Sequence, residues 1–396
     1  MECPHIPIIP YREFSLPVHD KAAARNIPIA GELDLTMRCN LRCLHCYCPQ
    51  DINKKELTFH EISNILDEIT DAGCLWLLIT GGEPLMRSDF LDIYTYAKKK
   101  GLIITIFTNG TLVTPKIADY LKEWPPFLVE ISLYGATQET YEKVTDVPGS
   151  YEECLNGIET LLQRKIPLRL KTLVTTLNKH ELWMMKRYAE ERGLEFRFDA
   201  LINPRLDGSE KPCRLRISPR EVVELDLADS KHHEAWKKLC QELPWGPPRR
   251  IDILYTCSRH MWDFHITAYG ELQACLMAQE PSFDLRQNPF SKCWPELIRE
   301  FQALKPEEKN RCRKCELFTL CGPCPAWAQL ENGDPNTVVE YTCQIAHLRA
   351  EGFRREGFIL KGGGKDGKES KKTLQETGSI RGEAYTRGGC VIRLQD

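Results

Sequence analysis

Cys39, Cys43 and Cys46 lie in the run Thr36-Met-Arg-Cys-Asn-Leu-Arg-Cys-Leu-His-Cys46, a C-x3-C-x2-C spacing. Three thiolates this close, on a short loop after an expected strand, can grip one small inorganic cluster. A four-iron cluster takes four ligands, so three cysteines leave one iron open to bind something else. Zinc is the competing occupant. A structural zinc site wants four ligands and usually shows C-x2-C pairs. Here the first gap is three residues, and a fourth ligand could come only from the crowded His45 or Cys48.

A second cysteine set lies further on: Cys257, then Gly270-Glu-Leu-Gln-Ala-Cys275, then Cys312-x2-Cys315-x5-Cys321-x2-Cys324, then Cys343. The two C-x2-C pairs could form a four-cysteine zinc knuckle. Zinc explains neither the Gly-x4-Cys element nor the isolated Cys343. The chain has 18 cysteines in 396 residues and no opening signal segment, so a short secreted disulfide scaffold is not the expectation. In a reducing cytoplasm, clustered thiols are metal ligands first.

The composition excludes other classes. A net charge of −3 with no basic stripe points away from nucleic acid. No apolar run approaches membrane-spanning length, Leu75–Ile79 being among the longest. The opening Met1-Glu-Cys-Pro-His5 lacks the charged and apolar regions of a secretory signal, so the expected location is the cytoplasm.

The elements that must position these thiols alternate between strand and helix from about residue 31 to 230. Strands are predicted at Leu33–Thr36, Leu75–Thr80, Leu102–Thr108, Phe127–Leu133, Leu168–Thr175 and Leu194–Ala200. Thr58 opens a helix with a capping box, because Glu61 follows three residues on and Ile62, Ile65, Leu66 and Ile69 keep helical spacing. Further helices are predicted at Ser88–Lys100, from Thr114-Pro115, at Thr137–Val144, Tyr151–Arg164 and Lys179–Arg192, and from Ser218-Pro219 with a second capping box at Glu221. Repeated βα units imply parallel strands with right-handed crossovers. Six units predict an α/β fold, a partial (β/α)6 TIM-like barrel, with a small cysteine-rich C-terminal domain. The expected divisions are an N-terminal extension 1–30, a core 31–230, a cysteine-rich domain 231–355 and a flexible tail 356–396.

Ligands of such sheets lie at the carboxyl ends of the strands, and candidate residues stand there. Gly81-Gly82-Glu83-Pro84 follows the second strand; its glycines let backbone approach a ligand closely, and Glu83 can accept from an ammonium group. As a bare motif it could equally be a turn. Thr108-Asn109-Gly110 follows the third strand, where an Asn-Gly turn is the plain alternative. Ser132 ends the fourth strand; Lys171, in the fifth, could pair with a ligand carboxylate, a solvated lysine being the plain alternative; and Asp199, at the end of the sixth, could face the site, a structural carboxylate being the plain alternative.

Taken together, the first triplet resembles the signature of the radical S-adenosylmethionine (radical SAM) enzymes. The resemblance implies that Cys39, Cys43 and Cys46 hold a 4Fe-4S cluster whose open iron chelates S-adenosyl-L-methionine (SAM). One electron then cleaves SAM to a 5′-deoxyadenosyl radical that abstracts hydrogen from a substrate, with the protein supplying position and electron delivery. It further implies a SAM site made of Gly81, Gly82, Glu83, Pro84, Asn109 and Ser132, with His45 where the family often sets an aromatic against adenine. Cys48 is given no role.

The later cysteines resemble the SPASM extension of that family, which holds two auxiliary 4Fe-4S clusters. The resemblance assigns Cys312, Cys315, Cys321 and Cys343 to the outer cluster and Cys257, Cys275 and Cys324 to the inner one. Cys293 is the nearest unused thiol for the inner cluster's open place. The family usually spaces its last pair by three residues, whereas Gly322-Pro323 leaves two here. The resemblance covers about residues 14 to 355.

Among SPASM proteins the common substrates are peptides and proteins, so peptide maturation is the expected function, with a flavodoxin- or ferredoxin-like electron donor. About thirty residues before the first strand are too few for a built-in winged peptide-recognition domain, so a separate leader-peptide-binding protein is an expected partner. Sulfatase-maturing relatives carry an acidic residue after the Gly-x4-Cys cysteine, where this chain has Leu276. Modification of a small molecule such as a tetrapyrrole is the enzymatic alternative, and an iron–sulfur or zinc protein that only carries electrons or docks partners is the non-enzymatic one. The glycine-rich, charged Lys361–Lys372 stretch reads as a linker. Residues 374–390 loosely resemble precursor peptides, and could mimic or compete with a peptide substrate if not simply disordered.

Overall fold

The computed structural model describes residues 11–49, 54–242, 246–248, 250–257 and 259–356. The linker and precursor-like stretch of the tail lie outside the described residues. Among the described residues, nine strands form one sheet: β1 (Ala30–Asp34), β2 (Trp76–Thr80), β3 (Ile103–Thr108), β4 (Leu128–Ser132), β5 (Leu168–Leu173), β6 (Glu195–Asp199), β7 (Asp263–Ile266), β8 (Glu271–Gln273) and β9 (Ser282–Asp284). Their order is β6-β5-β4-β3-β2-β1-β7-β8-β9. The first six pair in parallel, each with its sequence neighbour. The fold is therefore the expected α/β architecture, with six parallel strands in barrel order.

Strand alternation divides the side chains. One face sends Leu33, Leu77, Ile79, Ile104, Ile106, Val129, Ile131 and Leu170 into the main core, against Ile62, Ile65, Leu66, Ile69, Ile93, Tyr94, Ile158 and Leu161 of the covering helices. The other face carries charge: Glu32 and Asp34 on β1, Glu130 on β4, Arg169 and Lys171 on β5, Arg197 on β6. Glu130 is wholly buried and bound by Arg169 Nε at 2.6 Å, Lys171 Nζ at 3.0 Å and Arg197 at 3.0 Å. Burial opposes its charge, but Lys171, Arg197 and Arg169 overcome that and hold its carboxyl down at about 2. Lys171 is thus no solvated lysine; its ammonium also sits 3.2 Å from the Phe107 ring centroid.

Local chemistry sets the helix ends. Thr58 and Glu61 cap the helix Phe59–Asp71 reciprocally, and Ser218 and Glu221 do the same for Pro219–Ala228. The predicted helix at 179–192 begins as a 3-10 turn, Lys179–Glu181, before the α-helix Leu182–Glu190. The Glu181 carboxylate instead accepts from the Ala136 and Thr137 amides and both Thr137 and Thr140 hydroxyls.

The sheet does not stop at residue 230. β7 pairs in parallel with β1, and β8 and β9 continue it as an antiparallel meander. This brings the hairpin that carries Gly270 and Cys275 against the strand that precedes the first cysteine loop.

Candidate functional site

β1 ends at Asp34, two residues before the predicted end. The reason lies in Thr36 and Glu56. Glu56 accepts from the Thr36 hydroxyl at 2.7 Å and the Met37 amide at 2.9 Å, while Arg87 donates to the Leu35 carbonyl at 3.0 Å. These bonds turn the chain into the cysteine loop. Further along, the Arg42 and Leu44 amides donate to Thr145 and Val144 carbonyls, each at 3.0 Å. Those carbonyls are orphan acceptors at the end of helix Gln138–Thr145, so the loop and helix satisfy each other.

Gly81 and Gly82 serve this loop directly. The Gly82 amide donates to the Thr36 carbonyl at 2.7 Å and the Glu83 amide to Arg38 at 2.9 Å. A Cβ on Gly81, whose φ is +129°, would stand 2.2 Å from the Thr36 carbonyl oxygen, and one on Gly82 would stand 2.3 Å from that of Arg38. The close backbone approach that glycine permits is made to the cysteine loop itself. Pro84 then starts a 3-10 turn.

Glu83 is fully buried. Its carboxylate accepts from Thr108 Oγ1 at 2.8 Å, Asn109 N at 2.7 Å and Leu85 N at 3.1 Å. Burial nevertheless pushes its carboxyl up to about 7. Asn109, so fixed, donates its side-chain amide to Cys39 Sγ at 3.8 Å and to Asn40 Oδ1 at 2.9 Å. The Leu41 amide reaches the same sulfur at 3.4 Å.

The three thiols share one environment. Burial pushes Cys39 up to about 11, and pushes Cys43 well above the ordinary thiol range, with Cys46 and Cys39 adding to it. Cys46 is pulled down to about 7, first by a hydrogen bond from Cys48 and also by the charge of Arg205. His45 is buried, which lowers its imidazole to about 4 and keeps it neutral; its Nδ1 has no hydrogen-bond partner. Its ring meets Tyr134 edge-on, centroids 4.5 Å apart, and Tyr134 bonds with Ser132 at the end of β4. The β1, β2, β3 and β4 ends thus bring Cys39, Cys43, Cys46, Gly82, Glu83, Asn109, His45 and Ser132 to one end of the barrel. Asp199 lies apart, with its carboxylate accepting from the Leu201 amide at 2.8 Å.

The later cysteines form two neighbourhoods. Cys275 is pushed up to about 12 by burial and then by Cys324 and Cys257. Cys312 is pushed up to about 11 by burial and then by Cys321, Cys315 and Cys343. Between Cys321 and Cys324 the chain reverses at Gly322, φ +49°, followed by Pro323; Cys321 acts on Cys312, and Cys324 acts on Cys275. A cavity of about 230 Å³ is lined by Cys312, Cys315, Cys321, Cys324 and Cys343. Cys293 stands elsewhere, buried in the main core with its thiol toward the Asn288 carbonyl.

Among the described residues, no three His, Cys, Asp or Glu side chains converge closely enough to hold a single metal ion. An iron–sulfur cubane asks for a wider spacing, one thiolate per iron, and its sulfurs take hydrogen bonds of the kind Asn109 and Leu41 supply. The orphaned His45 Nδ1 and the donors on Cys39 fit a cluster with a polar organic ligand beside it.

Sequence reasoning missed Glu56, Arg87, Tyr134 and Arg205, and missed the buried pair in which His265 Nε2 meets Asp34 Oδ2 at 3.0 Å. The one available signal was position: Tyr134 follows a strand end.

Residues 33–189 match the radical SAM superfamily model. The chain is 28% identical to the AdoMet-dependent heme synthase of Methanosarcina barkeri, over 79% of this chain and 95% of that protein. It is 27% identical to the mycofactocin maturase MftC of Mycolicibacterium smegmatis, over 78% of this chain and 83% of that protein. Its fold is similar to that of Streptococcus suis SuiB bound to precursor peptide SuiA, with TM-score 0.63 and 14% identity, covering 83% of this chain and 79% of that one. Among the described residues, no helix is long and apolar enough to cross a membrane.

Proposed function

We propose that this chain, whose residues 33–189 match the radical SAM superfamily, binds a 4Fe-4S cluster and SAM and matures a ribosomally made peptide or protein side chain in the cytoplasm. Cys39, Cys43 and Cys46 hold the SAM-binding cluster. Gly81, Gly82, Glu83, Pro84, Asn109, Ser132 and His45 make the SAM site. Cys312, Cys315, Cys321 and Cys343 hold an outer auxiliary 4Fe-4S cluster, and Cys257, Cys275 and Cys324 an inner one. The observation that carries this reading is the first cysteine loop gathered with Glu83 and Asn109 at one end of the barrel, inside the stretch that matches the radical SAM superfamily. The similarity to a mycofactocin maturase supports the peptide substrate, and the fold shared with SuiB, solved with its precursor peptide, is compatible with it.

With cluster and SAM bound, one-electron reduction releases a 5′-deoxyadenosyl radical that takes a hydrogen atom from the substrate. The chain's own residues prepare that step. Glu83 spends its carboxylate on the Asn109 amide and Thr108 hydroxyl, which fixes Asn109 against Cys39. His45, neutral through burial, offers an unspent ring nitrogen to a polar ligand. Electrons enter from a flavodoxin- or ferredoxin-like donor, and a separate protein presents the peptide leader.

A tetrapyrrole substrate is the second reading, favoured by the similarity to the heme synthase. Anaerobic reconstitution tests the cofactors: about twelve irons per chain are expected, with 5′-deoxyadenosine released under dithionite. No release from a loaded cluster overturns the radical reading. About four irons overturns the auxiliary clusters. Mass spectrometry of a peptide encoded beside this gene, against iron-coproporphyrin III, separates the substrates by which one changes mass.

A further inference from the structure

The cations inside the barrel are committed: Arg169, Lys171 and Arg197 share Glu130. Arg205 is held differently. It lies on the loop after β6, in a tight turn closed by the Arg205 amide on the Ser209 carbonyl and the Gly208 amide on its own carbonyl, both at 2.9 Å. The next residue anchors that turn on two sides. The Leu206 amide donates to the Tyr47 carbonyl at 3.0 Å, one residue past Cys46. The Leu206 carbonyl accepts from Gln279 Nε2 at 2.7 Å, four residues past Cys275. Arg205 therefore stands between the first cysteine loop and the segment that carries Cys275.

Its guanidinium is left with donors to spend. Nε is buried and has no hydrogen-bond partner. The contact it does make, with Asp207 Oδ2 at 3.4 Å, is to a half-exposed carboxylate, and such pairs contribute little. A buried N–H whose nearest carboxylate lies 3.4 Å away, outside hydrogen-bond geometry, can take a better-placed acceptor from a bound molecule. A guanidinium offers a planar fork that matches a carboxylate. The proposed SAM residues lie at the β2, β3 and β4 ends and on the cysteine loop. Arg205 comes instead from beyond β6, between the two thiol regions, where a substrate must lie to reach both.

We propose that Arg205 binds a carboxylate of the substrate, held between the SAM site and the inner auxiliary thiols. The substrate class is then a carboxylate-bearing one, and the carboxylate comes from a peptide or from a tetrapyrrole side chain. This rests on the radical SAM reading above and adds the group that the enzyme recognises.

Binding to the reconstituted holoprotein with SAM tests it, using two pairs of probes. One is a fluorescent hexapeptide pool without acidic side chains, as free acid and as C-terminal amide. The other is coproporphyrin III and its tetramethyl ester. The wild type is expected to prefer the carboxylate form of one pair by about tenfold or more, and Arg205→Gln to abolish that preference. Arg205→Lys restores it in part, because the charge returns without the fork. The pair that responds identifies the source of the carboxylate. No preference in either pair, or a preference that survives Arg205→Gln, overturns the proposal. So does a matching loss of SAM affinity in Arg205→Gln, which would make the residue a SAM clamp. Iron content and 5′-deoxyadenosine release from the wild-type sample are read in parallel. Their failure sinks the radical reading, whereas their success with no carboxylate preference sinks only the role of Arg205.

Discussion

Asn109 donates its side-chain amide to the sulfur of Cys39 at 3.8 Å, and Glu83 holds the Asn109 backbone amide at 2.7 Å. A motif that reads as an Asn-Gly turn is therefore also a hydrogen-bond donor to a proposed cluster ligand. Donors to cluster sulfurs stabilise the more negative, reduced form. Asn109→Ala is expected to lower the midpoint potential of the SAM-binding cluster while iron content stays unchanged. EPR-monitored redox titration reads this; an unmoved potential would assign Asn109 to the organic ligand alone.

Gly82 has no room for a methyl group. Its Cβ would meet the Arg38 and Met37 carbonyl oxygens at 2.3 and 2.7 Å, immediately before Cys39. Gly82→Ala should displace that backbone and cost about four of the irons, with the circular dichroism of the fold preserved. Wild-type iron loading in the variant would show that the loop tolerates the shift.

Glu130 balances three cations in the barrel interior. Its replacement by Gln removes the charge that Arg169, Lys171 and Arg197 share, while Arg169 keeps Glu195 at 3.4 Å, and removing one partner of a buried ion pair costs about 3–5 kcal/mol. Thermal and urea denaturation should register a loss of that order. A change below about 1 kcal/mol would mean that water already screens the group.

The Asp34–His265 pair gives stability a pH dependence. Burial alone would lower the imidazole, but Asp34 and then Glu32 and Gln273 raise it to about 9. A group whose folded pKa lies above its unfolded value stabilises fully below the unfolded pKa, about 6.5 for histidine, and loses that contribution as pH climbs through the folded one. The stability difference between wild type and His265→Gln should be largest near pH 6 and shrink toward pH 9. Urea midpoints across that range measure it, and a flat difference would refute the pairing.

The sequence by itself determined the βα alternation, the capping boxes at Thr58 and Ser218, and the strand-end position of every first-loop and SAM-site candidate. These are local properties: helical and strand periods and cap chemistry act within a few residues. Cysteine spacing likewise reports on chemistry through type and count. Only the tertiary structure decided what depends on distant segments meeting. It added β7 to the free edge of β1, turned Gly81 and Gly82 toward the cysteine loop, and gave Glu83 to Asn109. It paired Asp34 with His265 across 231 positions of chain, and set Arg205 between two cysteine regions. No local pattern encodes such contacts, because each side chain finds its partner only when the sheet brings the two backbones together.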